Sequence, residues 1–365
     1  MWRKRFMLTP RQMFIILAVV LSLVLIALIV YLLYFLGRPE SLTTAEVKQG
    51  VQPVWQVYGP GTGDNPLFDR PMGVAVGIEG RVYVTDSRNN RVCVFDSSGR
   101  FLFEFGGFGV AKPLPGAKNS YEPGRLNFPV GIDTDYEGNV YVASFRNDSI
   151  EVFDADGKPL RRFPDPGKVV GRGSSGQDGT GIAVTDVAVF GDRVYATDQY
   201  QVFAFTLEGE FITQWGKPGT GPGDLDHPNG LAVGEDGTVY VSDSNHARVT
   251  AFTPDGEPLW NYGGSQESTE TSVTTSTIAT TSTVAPAIEL PRGLAVASDG
   301  SVLVADAFRF GITRLSKDGE LLGMYGERGV EPGQFNFLND VEMYRGFVVV
   351  ADKENNRVQM VRLLN

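Results

Sequence analysis

RVYVTDSRNNRVCVF, residues 81–95, reads as two apolar runs joined by a short polar link. Runs of valine and aromatic residues bounded by Asn, Asp and Ser mark strands, and so short a link joins them antiparallel. The stretch recurs. NVYVASF (139–145), RVYATDQ (193–199), TVYVSDS (238–244), SVLVADA (301–307) and FVVVADK (347–353) repeat its first half. One slot holds Asp86, Asp198, Asp243, Asp306 and Asp352, with Ser144 in the remaining copy. The second half returns as SIEVF, QVFAF, RVTAF, GITRL and RVQMV, and five copies then meet a glycine turn such as DSSGR or TPDGE. Self-similarity on this scale marks an array of supersecondary units, none able to bury its faces alone.

Two further strands complete each unit. One precedes the quoted stretch and opens with Pro71-Met72-Gly73, Pro129-Val130-Gly131, Pro228-Asn229-Gly230 or Pro291-Arg292-Gly293; Asp186 and Asp340 stand at the glycine slot in copies three and six. The other follows the glycine turn and ends in an aromatic, as in FLFEFG (Phe105), FITQWG (Trp215), PLWNYG (Tyr262) and LLGMYG (Tyr325). The second strands are apolar almost throughout, which requires cover on both faces. A four-stranded sheet stacked between two similar sheets provides it, and a propeller blade is such a sheet. The sixth copy stops at Asn365 without a fourth strand, while VWQVYG (54–59) carries the fourth-strand pattern at the other end. The expected fold is an all-β, six-bladed propeller of four-stranded antiparallel blades over 54–365, with strand 54–58 closing the last blade.

The Pro-x-Gly openings, the VYVTDSRNNRV-type hairpins and the links GKPGTGPGDLDHP (216–228) and GERGVEPGQFNF (326–337) resemble the NHL-repeat family of six-bladed β-propellers. The resemblance covers about residues 54–365 and implies the fold; the fold hosts many unrelated sites. Exported propellers of this type resemble the sensor domain of certain bacterial receptor kinases, which implies a ligand- or protein-binding, scaffold-like role.

Residues 14–36 carry no charge and are long enough to span a bilayer. Arg3, Lys4, Arg5 and Arg11 precede them without any acid, so the positive-inside rule predicts a cytoplasmic arm (1–13), a signal anchor (14–36), a stalk (37–53) and an extracytoplasmic propeller. Without the first 36 residues, 28 bases face 43 acids, a net charge near −15. Some NHL-type propellers bind RNA through basic faces; this charge argues against nucleic acid. A protein, small-molecule or glycan partner at the cell envelope fits better. The Ser/Thr-rich segment 265–287 reads as an insertion with no packed core. Cys93, between Val92 and Val94, reads as a small buried apolar residue.

Candidate site residues come from the inner strands. At the channel mouth, where these strands begin, Met72, Val130, Thr185, Asn229, Arg292 and Asn339 occupy corresponding but non-identical positions. Thr185, Asn229, Arg292 and Asn339, with His227 just before an inner strand, are the expected ligand-binding set. Deeper, most positions are glycine or alanine, because inner strands crowd the axis. Asp133, Asp186, Asp340 and Glu342 break that rule. Converging carboxylates suit a hard cation such as calcium. Gluconolactonase-like and paraoxonase-like propellers place a metal there, so these four are candidate calcium ligands and a calcium-dependent hydrolase or lyase is the competing function. The alternative is that they bond backbone N–H groups in a water-filled channel. A propeller lyase of the peptide-amidating type would need several histidines around zinc, and the chain has only two, His227 and His246. No nucleophile elbow or phosphate loop is present in the sequence.

Overall fold

The computed structural model describes residues 50–61, 67–110, 122–163, 183–264 and 288–364, together with Glu40, Ser41 and scattered positions between 11 and 28. Most of the 14–36 segment and all of the 265–287 insertion lie outside the described residues. Among the described residues no helix is long and apolar enough to cross a membrane.

Among the described residues there are six antiparallel sheets, each built as the repeat dictates. The first blade runs Pro71–Val76, Val82–Asp86, Arg91–Phe95, Phe101–Gly106. The second to fifth blades repeat this order, with inner strands Pro129–Thr134, Asp186–Phe190, Pro228–Val233 and Pro291–Val296. Inner strands neighbour one another in chain order round a ring, and Leu338–Tyr344 of the sixth blade returns to Pro71–Val76. The second strands are buried along nearly their whole length, as in Val82–Asp86 and Val239–Asp243, because sheets stack against both faces. Outer strands such as Phe101–Gly106 alternate between half-buried and exposed.

The ring closes as the sequence predicts, over a longer strand. Val51–Val57 pairs with Arg357–Leu363, with Val51 opposite Leu363 and Val57 opposite Val358. The strand therefore begins inside the segment read as stalk. Glu40–Ser41 adds a short outer rung, pairing with Gln56 and Trp55. Arg357, fully buried, fastens the closure. Its Nε donates to Asp352 at 2.7 Å, and its Nη1 to the Gln56 side chain at 2.9 Å and the Val330 carbonyl at 2.6 Å.

The repeated second-strand Asp is structural, as its recurrence implies. Asp86 accepts from Arg91 Nε at 2.8 Å and from the Asp69 backbone N–H at 2.8 Å. Asp243 accepts correspondingly from Arg248 Nε and the Asp226 N–H. Each carboxylate thus joins its own hairpin to the link arriving from the preceding blade, satisfying buried donors that would otherwise be orphaned. Cys93 is fully buried, and burial pushes its thiol well above the ordinary range.

Candidate functional site

The inner strands position everything on the axis. Asp186 and Asp340 stand on blades three and six, half a ring apart. Each is nearly buried, at 7% and 8% exposure, and each spends its oxygens on backbone N–H groups. Asp186 accepts from Val187 at 2.9 Å and from Leu231, on the next blade, at 2.8 Å. Asp340 accepts from Val341 at 2.9 Å and from Val74, on the first blade, at 2.9 Å. On the other side each carboxylate lies against the preceding blade, where a Cβ on Gly131 or Gly293 would fall on Asp186 Oδ1 or Asp340 Oδ1. Glycine stands at those two positions because the neighbour's carboxylate needs the space. Each Asp therefore clamps three blades.

Asp133 behaves alike, accepting from Thr134 and, across to the third blade, Val189, both at 2.7 Å. Glu342 accepts from Met343 at 2.7 Å. Burial raises all four carboxyls: Asp133 to about 7, Glu342 to about 8, with Asp133 nearby adding to the second shift. Asp186 and Asp340 are also raised, by burial first and then by the surrounding carboxylates. Desolvation penalises the charged form, and the backbone donors, two each for Asp133, Asp186 and Asp340 and one for Glu342, only partly offset it. Among the described residues no three His, Cys, Asp or Glu side chains are grouped as a metal ion would require.

The five mouth residues are engaged with one another and with the backbone. Arg292 donates from Nε and Nη2 to Asn339 Oδ1, at 3.1 and 2.8 Å, and Asn339 Nδ2 donates to the Met72 carbonyl at 2.9 Å. Burial brings the Arg292 guanidinium down to about 10 against the attraction of Asp186 and Asp340. Thr185 Oγ1 donates to the Pro228 carbonyl at 2.7 Å. Asn229 Nδ2 donates to the His227 carbonyl and to Ser244 Oγ, at 2.8 and 2.9 Å. His227 holds a left-handed backbone (φ 53°) with Nδ1 against Asp226 at 2.5 Å. His246, in the hairpin after Val239–Asp243, bonds Asp243 at 2.7 Å. Met72 and Val130 fill the mouth, at 8% and 7% exposure.

Open space lies at the opposite end. A cavity of about 230 Å³ is lined by side chains from all six inner strands. It runs from Asp186 and Asp340, past Asp133 and Glu342, to a rim formed by Tyr136, Gly191 and Glu235. Tyr136 is 83% exposed at this rim. Tyr136 and Glu235 were not among the residues singled out from the sequence. They sit in DYEG (135–138) and GEDG (234–237), which read as ordinary hairpin turns. Their position directly after an inner strand was the available signal, since such a hairpin must edge the channel.

The NHL repeat is matched at residues 68–95 and 225–252, the first three strands of blades one and four. The brain tumor protein of Drosophila melanogaster is 25% identical over 168 residues, which is 45% of this chain and 14% of that protein. Peptidyl-glycine alpha-amidating monooxygenase B of Xenopus laevis is 27% identical over 205 residues, 54% of this chain and 22% of that protein. The chain thus spans less than a quarter of the length of either relative. Among solved structures, virginiamycin B lyase from Staphylococcus aureus superposes with a TM-score of 0.54 at 14% identity, covering 87% of this chain and 100% of the lyase. At that identity the likeness is one of fold.

Proposed function

We propose that this chain is a membrane-anchored, extracytoplasmic propeller that binds a ligand or partner protein at the open end of its channel. The observation that carries the reading is the cavity itself. It is pre-formed, lined by carboxyl groups, and edged by an exposed rim of Tyr136 and Glu235. Concave, pre-formed sites with a few convergent polar groups are where ligands bind. Binding is favoured over catalysis because Asp133, Asp186 and Asp340 each hold neighbouring strands through two backbone N–H groups. Turning such a carboxylate onto a substrate would break the hydrogen bonds that join the blades. The acidic rim favours ligands that carry hydrogen-bond donors or positive charge. The uncharged 14–36 segment, with bases before it and none within, supports the anchor and the orientation.

The test places a photo-crosslinking amino acid at Tyr136, and separately at Leu160 on the outer rim, in the full-length chain in its own cells. A discrete adduct from Tyr136 alone, lost when Glu235→Lys is added, is expected. Equal adducts from both sites, or none from Tyr136, would overturn the reading. Metal content of the same protein, purified without chelator, decides the competing function. A stoichiometric calcium lost in Asp133→Asn/Glu342→Gln would put a calcium-dependent hydrolase or lyase first.

A further inference from the structure

The two faces of the ring differ in chemistry. Inner strands run from the mouth to the open end and second strands run back. Every link from an outer strand to the next inner strand, and every hairpin between second and third strands, therefore lies on the mouth face. The remaining hairpins lie on the open face. Exposed apolar side chains in the loops and hairpins follow this division, while others, such as Leu160, Leu259 and Leu322, lie on the outer strands between the two faces. Tyr58, Leu67, Phe108, Val110, Phe308 and Val330, at 41–66% exposure, all belong to mouth-face segments. On the open-face hairpins only Ile78 and Tyr136 among the described residues compare with them. Scattered exposed leucines need no account, but apolar residues gathered on one face do.

Charge divides the same way. The open-face hairpins carry Glu79, Glu137, Asp192, Glu235, Asp255 and Asp318 with few bases among them. The mouth face is mixed. Arg88 pairs with Asp69 at 3.7 Å, Arg309 with Glu289 at 3.7 Å and Lys353 with Glu354 at 3.3 Å. Three of its cations rest on aromatic rings: Lys353 over Phe337 at 4.2 Å, Arg146 over Phe128 at 4.9 Å, and Arg328 over Phe310 at 4.9 Å. The open end has such pairs too, in Arg345 over Tyr344 at 5.2 Å and Arg362 over Phe347 at 4.8 Å, so it is the exposed apolar loops beside these cations that set the mouth face apart. Aromatic rings beside long cationic side chains suit a membrane–water interface, where the ring meets the headgroup level and the cation meets lipid phosphate.

The tether points the same way. Glu40 lies opposite Gln56 and Ser41 opposite Trp55, antiparallel to a strand whose last residue, Val57, leads onto the mouth face. The chain before Glu40 therefore arrives from the mouth side. Between the end of the 14–36 segment and Glu40 an extended chain reaches about 14 Å at most.

We propose that the mouth face of the propeller lies on the lipid surface, with Phe108, Phe308 and Val330 at the headgroup level and the acidic, cavity-bearing face turned outward. This rests on the anchor proposed above. The occupant is lipid rather than a second protein because the tether is too short to hold that face far from the bilayer. The open face, rich in carboxylates, is repelled by anionic headgroups.

The experiment reconstitutes the full-length chain in vesicles of phosphatidylcholine with a minority of phosphatidylglycerol. A polarity-sensitive fluorophore is attached at Val330→Cys, Phe108→Cys or Ile78→Cys; the buried Cys93 contributes no labelling in the folded protein. Quenching by nitroxide-labelled lipid several-fold stronger at 330 and 108 than at 78, with protection from a water-soluble quencher, is expected. Equal behaviour at all three positions, in protein that resists alkaline carbonate extraction, overturns the docking and leaves the anchor standing. Release by carbonate overturns the anchor and the docking with it. Protection at 330 and 108 that appears only after a second protein is added would assign the face to that protein instead.

Discussion

Asp133 offers a direct test of how the channel is built, because its titration and its hydrogen bonds act in opposite directions. Its pKa moves from an ordinary 3.8 to about 7 in the folded chain, with burial as the main cause. Between these values the folded protein holds a proton that the unfolded chain has released. Stability therefore falls as pH rises through that window, by about 1.4 kcal/mol per pH unit for one such group. Over about three units this amounts to about 4 kcal/mol, an upper bound because the carboxyl reaches cavity solvent. Asp133→Asn removes the titration but offers one acceptor oxygen to two donors, the N–H groups of Thr134 and Val189. An orphaned buried donor costs about 1–3 kcal/mol at every pH. The variant should be less stable than the parent at pH 5, and the gap should close and reverse by pH 8. Urea denaturation of full-length protein in detergent, at unit steps across this range, reads it. An unchanged gap from pH 5 to pH 8 would refute the reasoning.

Other expectations are simpler. Arg357→Met strands the Asp352 carboxylate in the core and should cost about 3–5 kcal/mol in urea denaturation; a loss below about 1 kcal/mol would show the pair to be dispensable. Gly293→Ala, whose methyl would fall on Asp340, should cost about 1–3 kcal/mol. Asp340→Gly on that background should recover part of the loss by relieving the clash, and an additive result would count against the packing described. Cys93 should react with a thiol reagent only as fast as the domain unfolds; native-state labelling at the rate seen in urea would contradict its burial.

The fold was legible because each physical demand is written six times. Continuous apolar second strands, glycine turns and the unmatched Val54–Gly59 pattern leave one way to bury every face. The role of the second-strand Asp was legible for the same reason. The site was less so. Asp186 and Asp340 were identifiable as exceptions at a glycine slot, but their donors, Leu231 and Val74, come from neighbouring blades at separations of 45 and 266 residues. Nothing local announces such a partner. Thr185, Asn229, Arg292 and Asn339 stood out by differing from copy to copy. In the ring they differ because each solves a different packing problem at the mouth, as Arg292 and Asn339 do together. The open end escaped notice because a rim residue such as Glu235 looks like any turn acid until the direction of the inner strand is considered.

The placing of Asp186 and Asp340 half a ring apart lowers the symmetry of the propeller from sixfold to twofold, since blades one to three repeat as four to six about the axis. The next layer breaks even that. Ala75, Ala188, Ala232 and Ala295 stand where the second and sixth blades have Asp133 and Glu342. Those two blades flank the first, so at this level one side of the cavity carries Asp133 and Glu342 and the facing side, on blades three to five, carries the methyl groups of Ala188, Ala232 and Ala295. Such a layer has a single polar azimuth. A ligand bound there as proposed would turn its donor-rich end toward Asp133 and Glu342 and its apolar end toward the alanines facing them, so this layer would distinguish the two ends of a molecule.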